Sequence, residues 1–379
     1  MKQSKFGIVI TAYNRAVPLK HLLETLNAIK TEIDNIPLII SIDNKGTEEV
    51  NKIANDFNWI HGQKKVIIHQ EKKGLRAHFI WAGDQTEEFG NVLFLEDDLH
   101  VSPYVLDYVN AVIDNYSDDM RIAGGALYNP ILCEFNGKKF YQVEDGYDNF
   151  FFQHPYWGNI WFGEQWKIFK CWLNTYEYKP NILPASVQRW NTTSFKKLYV
   201  QFLIETNRFI VYPRISYVTN MGEMGLHSKK TFKQLHTVLQ NGHKELKMSS
   251  FDSSRSIYDG FFELIPELLK KENPALRDYD FTVDLQGLRE RINTEYILTI
   301  RNVSNPILTF SDAMRPIEQN VFIGLEGEGI YLAKKIDVVP DKKSFLTSRL
   351  IKDICEMNYV LRPRDMVYMA LNALNKKER

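Results

Sequence analysis

The sequence predicts an α/β protein: a Rossmann-like, mixed but mostly parallel sheet flanked by helices, with a smaller C-terminal α+β accessory domain. Three observations carry this. Strand and helix signals alternate through the first hundred residues. Short apolar runs stop abruptly at acids, Pro37–Ile42 at Asp43 and Val92–Leu95 at Glu96-Asp97-Asp98. A polar, serine-rich stretch, 244–256, then separates a domain over residues 1–245 from one over 246–379.

Each element has a local reason. Phe6–Thr11 is a short apolar strand. Leu19, Leu22, Leu23, Leu26 and Ile29 fall at helical spacing. Pro37–Ile42 reads as the second strand, Glu48–Phe57 as a helix, Lys65–His69 as a strand and Leu75–Ala82 as a helix behind Gly74. After the strand Val92–Leu95, Ser102 is placed to cap a helix running through Ile113, with Pro103 at its first position. Arg208–Val218 reads as a strand containing Pro213, and Phe261–Lys271 as a helix. Short β-like runs lie between Tyr296 and Ala333, and Ser344–Leu374 is mostly amphipathic helix interrupted at Pro363.

Composition narrows the class. The 379 residues exceed one ordinary core, which favours two domains. With 47 basic and 47 acidic side chains, no global charge draws the chain to nucleic acid. Cys133, Cys171 and Cys355 form neither a disulfide framework nor a zinc pattern, which favours a reducing, cytoplasmic compartment. The chain enters its first strand after five residues with no signal-peptide core, and no apolar run approaches the roughly 20 residues of a membrane span. Aromatics reach 13% and crowd between Phe140 and Trp190, where they form either an apolar wall for a sugar face or ordinary core.

Glu96-Asp97-Asp98 is the stretch richest in chemistry. Three adjacent acids at a strand end repel one another, and a hard divalent cation with oxygen ligands neutralises such a group while keeping positions open for diphosphate oxygens. The plain alternative is a solvated acidic turn. Ligands of parallel sheets bind at the carboxyl ends of the strands, where Asp43 and this cluster both fall.

The order of these signals resembles the GT-A nucleotide-sugar glycosyltransferases. Ile8-Val9-Ile10-Thr11-Ala12-Tyr13-Asn14-Arg15 is similar to their first strand and nucleotide loop, and Ser41-Ile42-Asp43-Asn44 to the second-strand aspartate that contacts uracil or ribose. Lys73-Gly74-Leu75-Arg76-Ala77 stands at the family's glycine-led helix. Glu96-Asp97-Asp98, continued by Leu99-His100-Val101-Ser102-Pro103, resembles the metal motif of the N-acetylglucosaminyltransferase I group. Trp157–Trp166 resembles an acceptor-side segment of bacterial family-2-like relatives. Pro213-Arg214-Ile215-Ser216 and Asn220 through His227-Ser228 resemble their closing strand and loop.

The resemblance, covering roughly residues 5 to 240, implies a Mn2+- or Mg2+-dependent transfer of a sugar from a UDP-linked donor to a hydroxyl on a carbohydrate or lipid-linked acceptor. The implied setting is bacterial surface polysaccharide or glycolipid assembly. Asp98 is the expected direct metal ligand and His227 a second, set against an ordinary loop histidine. Asp97 acts through the ion's water or the sugar, and Glu96 orients its neighbours or the nucleotide. Arg15 and Arg76 offer forked donors to phosphate or are simple surface arginines.

The chain departs from the pattern at the catalytic base. Inverting relatives carry an aspartate after a tryptophan; here Trp190 precedes Asn191, which does not titrate. Glu164 and Glu205 are the expected replacements, unless the acceptor needs no base. Two rivals remain: a sugar-nucleotide nucleotidyltransferase, disfavoured because Thr11–Arg15 holds no glycine, and an inactive sugar-binding or assembly protein, kept open by Asn191. Between Lys342 and the end, nine Lys/Arg stand against four Asp/Glu with apolar residues interleaved. That tail either rests on the inner face of an anionic membrane or packs on its own domain.

Overall fold

The structure, a computed structural model, describes residues 2–221 and 236–340. His227 and the basic tail therefore lie outside the described residues, as does Cys355.

The chain opens with β1 (Lys2–Gln3), β2 (Gly7–Ala12), α1 (Ala16–Asn27), β3 (Ile33–Asp34), β4 (Leu38–Ile42), α2 (Glu48–Asp56), β5 (Lys64–Ile68), α3 (Gly74–Asp84), α4 (Thr86–Phe89), β6 (Asn91–Glu96) and β7 (Leu99–Val101). It continues through α5 (Val105–Tyr116), β8 (Ile122–Ala126), β9 (Asn149–Phe152), β10 (Asn159–Phe162), α6 (Gly163–Asn174), α7 (Ala185–Gln188), α8 (Phe195–Glu205), β11 (Phe209–Pro213) and β12 (Val218–Asn220). The last described part holds β13 (Ile257–Tyr258), α9 (Pro266–Glu272), β14 (Phe281–Asp284), β15 (Tyr296–Thr299), β16 (Pro306–Ser311), α10 (Glu318–Phe322) and β17 (Gly329–Lys334).

A nine-stranded sheet runs β13-β9-β11-β8-β10-β6-β2-β4-β5. β6, β2, β4 and β5 are mutually parallel, and β10 enters antiparallel between β6 and β8. β2 and β4 are buried along their whole length, as parallel strands covered on both faces must be. The carboxyl ends of β2, β4 and β6 open on one edge. There the small antiparallel pair β7–β12 folds over, with Leu99 opposite Asn220. The expected mixed, mostly parallel α/β architecture is therefore present.

Four sequence expectations are corrected. The helix expected from Ser102-Pro103 starts at Val105, because the Ser102 hydroxyl accepts from Tyr104 N (3.0 Å) and its carbonyl from Val105 N (3.1 Å), closing a turn first. The strand expected over 208–218 ends at Pro213, and the chain resumes as β12 beside β7. The helix expected from Phe261 begins at Pro266. Upstream, Asp259 Oδ1 accepts from Phe261 N (2.8 Å) and Glu263 N (3.1 Å) and holds a turn, with Phe262 at φ +65°.

The serine-rich stretch is no linker. Ser249, Ser254 and Ser256 are buried; Ser249 N donates to Asn149 Oδ1 (2.8 Å) and Tyr116 donates to the Ser249 carbonyl (2.6 Å). β13 then adds to the large sheet beside β9. The expected boundary at 245/246 thus falls inside the body built on that sheet. The separate C-terminal sheet, β14-β15-β17-β16, begins only at Phe281, and its buried residues share one continuous apolar cluster with the large sheet.

Candidate active site at the carboxyl edge of the sheet

β6 carries four fully buried apolar residues to the edge and ends at Glu96, which pairs in register with Thr11 of β2. Asp97 and Asp98 form the turn into β7 and are buried. Arg15, at the entry to α1, reaches across with both arms: Nη2 donates to Asp97 Oδ1, and Nη1 to Asp98 Oδ2 at 2.6 Å. Arg15 thus neutralises the acids rather than standing free for phosphate. One guanidinium cannot balance three carboxylates. Burial, reinforced by Asp98, pushes Glu96 up to about 8 against the pull of Arg15. Burial pushes Asp97 up to about 6 despite Arg15.

Asp98 Oδ1 is buried with no hydrogen-bond partner. An orphaned carboxylate oxygen is costly in a folded interior unless something covers it. Among the described residues no three His, Cys, Asp or Glu side chains converge as a metal cage. The donor set therefore suits a hard cation only in minimal form: one carboxylate oxygen from the protein, the rest from water and a phosphate ligand, the pattern usual for Mg2+.

Of the residues expected at the nucleotide, Thr11 and Ala12 are buried at the end of β2, Tyr13 is half-buried and Asn14 exposed. Asp43 sits at the same edge, but both its oxygens are engaged: Oδ1 accepts from Lys73 N (2.7 Å) and Oδ2 from Gly74 N (3.0 Å). It caps α3 from a neighbouring strand, satisfying N–H groups that a helix start leaves bare. Gly74 has φ +73°, a conformation L side chains rarely adopt. Arg76, expected at phosphate, donates instead to the carbonyls of Thr192 and Ser194 (3.0 Å to the latter), tying α3 to the start of α8.

Both glutamates expected as the base are misplaced. β10 runs antiparallel to β6 with Phe162 opposite Asn91, so Glu164 leaves the sheet at the edge opposite the acid turn. It is exposed and pairs with Lys167 (2.6 Å). Glu205 ends α8 shortly before Phe209 enters the sheet opposite Ile122, the first residue of β8 and so at that same far edge. It accepts from Trp172 Nε1 (2.8 Å) and Gln201 Nε2 (2.7 Å), a packing role. Asn191 lies on the near side, but its Oδ1 closes a local turn with Thr193 N and Oγ1, both 2.9 Å.

The sequence reading did not single out a charged cluster that lies near this edge. Lys196, in the first turn of α8, donates to Glu134 Oε1 at 2.7 Å and lies over the rings of Tyr156 (4.2 Å) and Trp190 (5.0 Å). Its charge is felt at Glu96. His154 Nε2 meets the same Glu134 oxygen. Burial would raise the Glu134 carboxyl, but Lys196 and His154 outweigh it and hold the group well below the usual carboxylate range. His154, buried and beside Lys196, is held down to about 4 and is neutral, so its Nε2–H donates. The only sequence signal was Ser194 before an apolar run, a helix cap that places Lys196 in a first turn. Glu134 lies in an irregular stretch with no period. The aromatic crowd is mostly core: Phe150, Phe151, Phe152, Trp161 and Trp166 are buried.

No family model matches the chain, and no curated protein does. Among solved structures it is similar to S. aureus TarS 1-349 at 15% identity, covering 57% of this chain and 60% of that one, with a TM-score of 0.38. The complex of TarS 1-349 with UDP-GlcNAc matches at 16% identity, 59% and 60% coverage and a TM-score of 0.40. The UDP complex matches at 15%, 57%, 60% and 0.38. This chain thus spans about 60% of the length of the structures it is similar to.

Proposed function

We propose that the chain is a glycosyltransferase that moves a sugar from a nucleoside-diphosphate sugar, UDP-linked by preference, to a hydroxyl acceptor. The observation that carries this reading is the acid turn at the carboxyl edge of a parallel sheet, with one buried Asp98 oxygen left unpartnered. The bacterial surface-polysaccharide or glycolipid setting rests on the sequence resemblance alone.

In this reading the loop Thr11–Arg15 and the Asp43-anchored start of α3 frame the nucleotide. Asp98 would hold a divalent ion, Mn2+ or Mg2+, which when bound would supply Lewis-acid stabilisation to the diphosphate leaving group. Arg15 fixes the other Asp98 oxygen and leaves Oδ1 without a partner for such an ion to take. Glu134 takes the place of the missing aspartate. As the acceptor oxygen bonds to the anomeric carbon, the carbon–phosphate-oxygen bond breaks with its electron pair going to the diphosphate, and the acceptor proton passes to Glu134. Lys196 and His154 keep that carboxylate ionised, at some loss of basicity.

A thermal-shift screen of UDP and UDP-sugars with and without Mn2+ tests the donor, since a ligand of the native state raises the midpoint by mass action. Donor hydrolysis is the expected activity. Pyrophosphate release from an NTP would replace this reading with nucleotidyl transfer, and UDP-sugar binding without turnover would leave a binding protein.

A further inference from the structure

A cavity of about 360 Å³ lies beside the end of β11, away from the acid turn, lined by Glu144, Tyr147, Asp148, Arg214, Tyr217 and Lys244 among others. Its size falls within the usual range for small-molecule sites. Its cations are already spoken for. Arg214 Nη2 donates to Asp145 Oδ1 at 3.0 Å, and Lys244 pairs with Asp148. Asp145 itself accepts from Ser254 Oγ (3.0 Å) and Arg255 N (2.9 Å). With each lysine or arginine of the wall matched to an acid, nothing there favours an anion over a neutral ligand.

Hydrogen-bonding capacity remains. Arg214 Nε is buried without a partner, although its guanidinium is held on two other sides, by Asp145 and by the Phe150 ring at 5.5 Å. Glu144 is exposed, with Oε1 accepting from Gly146 N (3.0 Å). The half-buried Tyr147 adds ring area, while Tyr217 is buried and stacked on Tyr108. Matched cations, an open carboxylate acceptor and a ring face are the chemistry that recognises a neutral polyhydroxylated chain.

The wall is also joined to the acid turn. Tyr217 accepts from Ser102 N (2.8 Å) and donates through its own N–H to the Leu127 carbonyl (2.7 Å). β12 follows directly, and Met221 N donates to the Asp98 carbonyl (3.0 Å). Four residues of extended chain span at most about 14 Å, so the cavity and the acid turn lie a few sugar rings apart.

We propose that this cavity is a second carbohydrate subsite, holding a neutral oligosaccharide segment of the acceptor while its end lies at the acid turn. The acceptor role rests on the glycosyltransferase reading; the binding does not. Saturation-transfer NMR of the full chain with the neutral disaccharides cellobiose and N,N′-diacetylchitobiose tests it, with inorganic phosphate as the anionic probe. At least one disaccharide is expected to bind. Glu144→Gln and Tyr147→Ala, both near the surface, are expected to weaken it about fivefold or more while leaving the UDP-induced thermal shift unchanged. Absence of any disaccharide signal, equal binding by both variants, or phosphate binding lost with Tyr147→Ala would overturn the subsite. Disaccharide binding that maps here in a protein that ignores UDP would keep the subsite and remove the enzyme reading.

Discussion

Under the proposed function Asp98 and Glu134 divide the work of the site, each with a separate readout. Asp98→Asn keeps the volume and one acceptor oxygen but removes the charge that draws a cation. It is expected to abolish the Mn2+-dependent part of the UDP thermal shift and leave the metal-free melting temperature within a few degrees; an unchanged Mn2+ effect by calorimetry would remove Asp98 as a ligand. Glu134→Gln is expected to lower turnover by about 10²–10⁴-fold with little change in UDP affinity. Glu164→Gln and Glu205→Gln, whose side chains lie at the opposite edge of the sheet, are expected to retain turnover within about twofold. Steady-state kinetics of the three variants decides between them: a large loss in Glu205→Gln with none in Glu134→Gln would reverse the assignment.

At the scale of elements, the start of α3 is built by tertiary contact. Lys73, before its first turn, offers no capping side chain, and Gly74 sits at positive φ. Asp43, thirty residues upstream, supplies both acceptors. Asp43→Ala is expected to cost about 1–2 kcal/mol, the scale of a lost helix cap, by urea denaturation. Asp43→Asn keeps one acceptor and is expected to lose less. If instead both variants keep full stability and lose only UDP affinity, Asp43 serves the nucleotide and not the helix. α8 is the second such element: its capped start, Ser194 Oγ accepting from Lys197 N (3.2 Å), delivers Lys196 to the acid edge while its other end stays far from it.

For the whole molecule, buried histidines set an acid limit. His78 is buried at the carboxyl edge of the sheet, its Nε2 bonded to Ser41 Oγ (2.7 Å), and faces Asp43, His69 and Lys73. Burial lowers it from 6.5 to about 4, with His69 and Lys73 adding to the shift and Asp43 opposing it. Between those values the unfolded chain binds the proton and the folded one does not. The stability His78 contributes is therefore complete above about pH 6.5 and lost as pH falls through 4. That loss is on the order of 3 kcal/mol at most. Urea denaturation at pH 7 and pH 4.5 is expected to show the fall, and His78→Gln to reduce it, with His154, also held down to about 4, supplying a further part. A variant as acid-sensitive as the parent would place the titration elsewhere.

The sequence by itself determined the strand–helix alternation, the parallel sheet and the acids at its carboxyl edge. Those signals are local: an apolar run, a capping residue and an acid turn each act within a few neighbours. It also placed Thr11–Arg15, Asp43 and Gly74 at one edge, because every parallel strand delivers its end to the same side. Only the tertiary structure decided which of these groups are already spent, Arg15 on Asp97 and Asp98, Asp43 on α3, Arg76 on the loop before α8. It decided that the serine-rich stretch 244–256 is interior. It also decided that Glu164 and Glu205 face the wrong way and that Glu134, Lys196 and His154 meet. Strand direction and the pairing of Glu134 with His154 and Lys196, 20 and 62 positions away, are set by burial of the whole sheet and its aromatic faces, a sum over many distant contacts that no window of sequence contains.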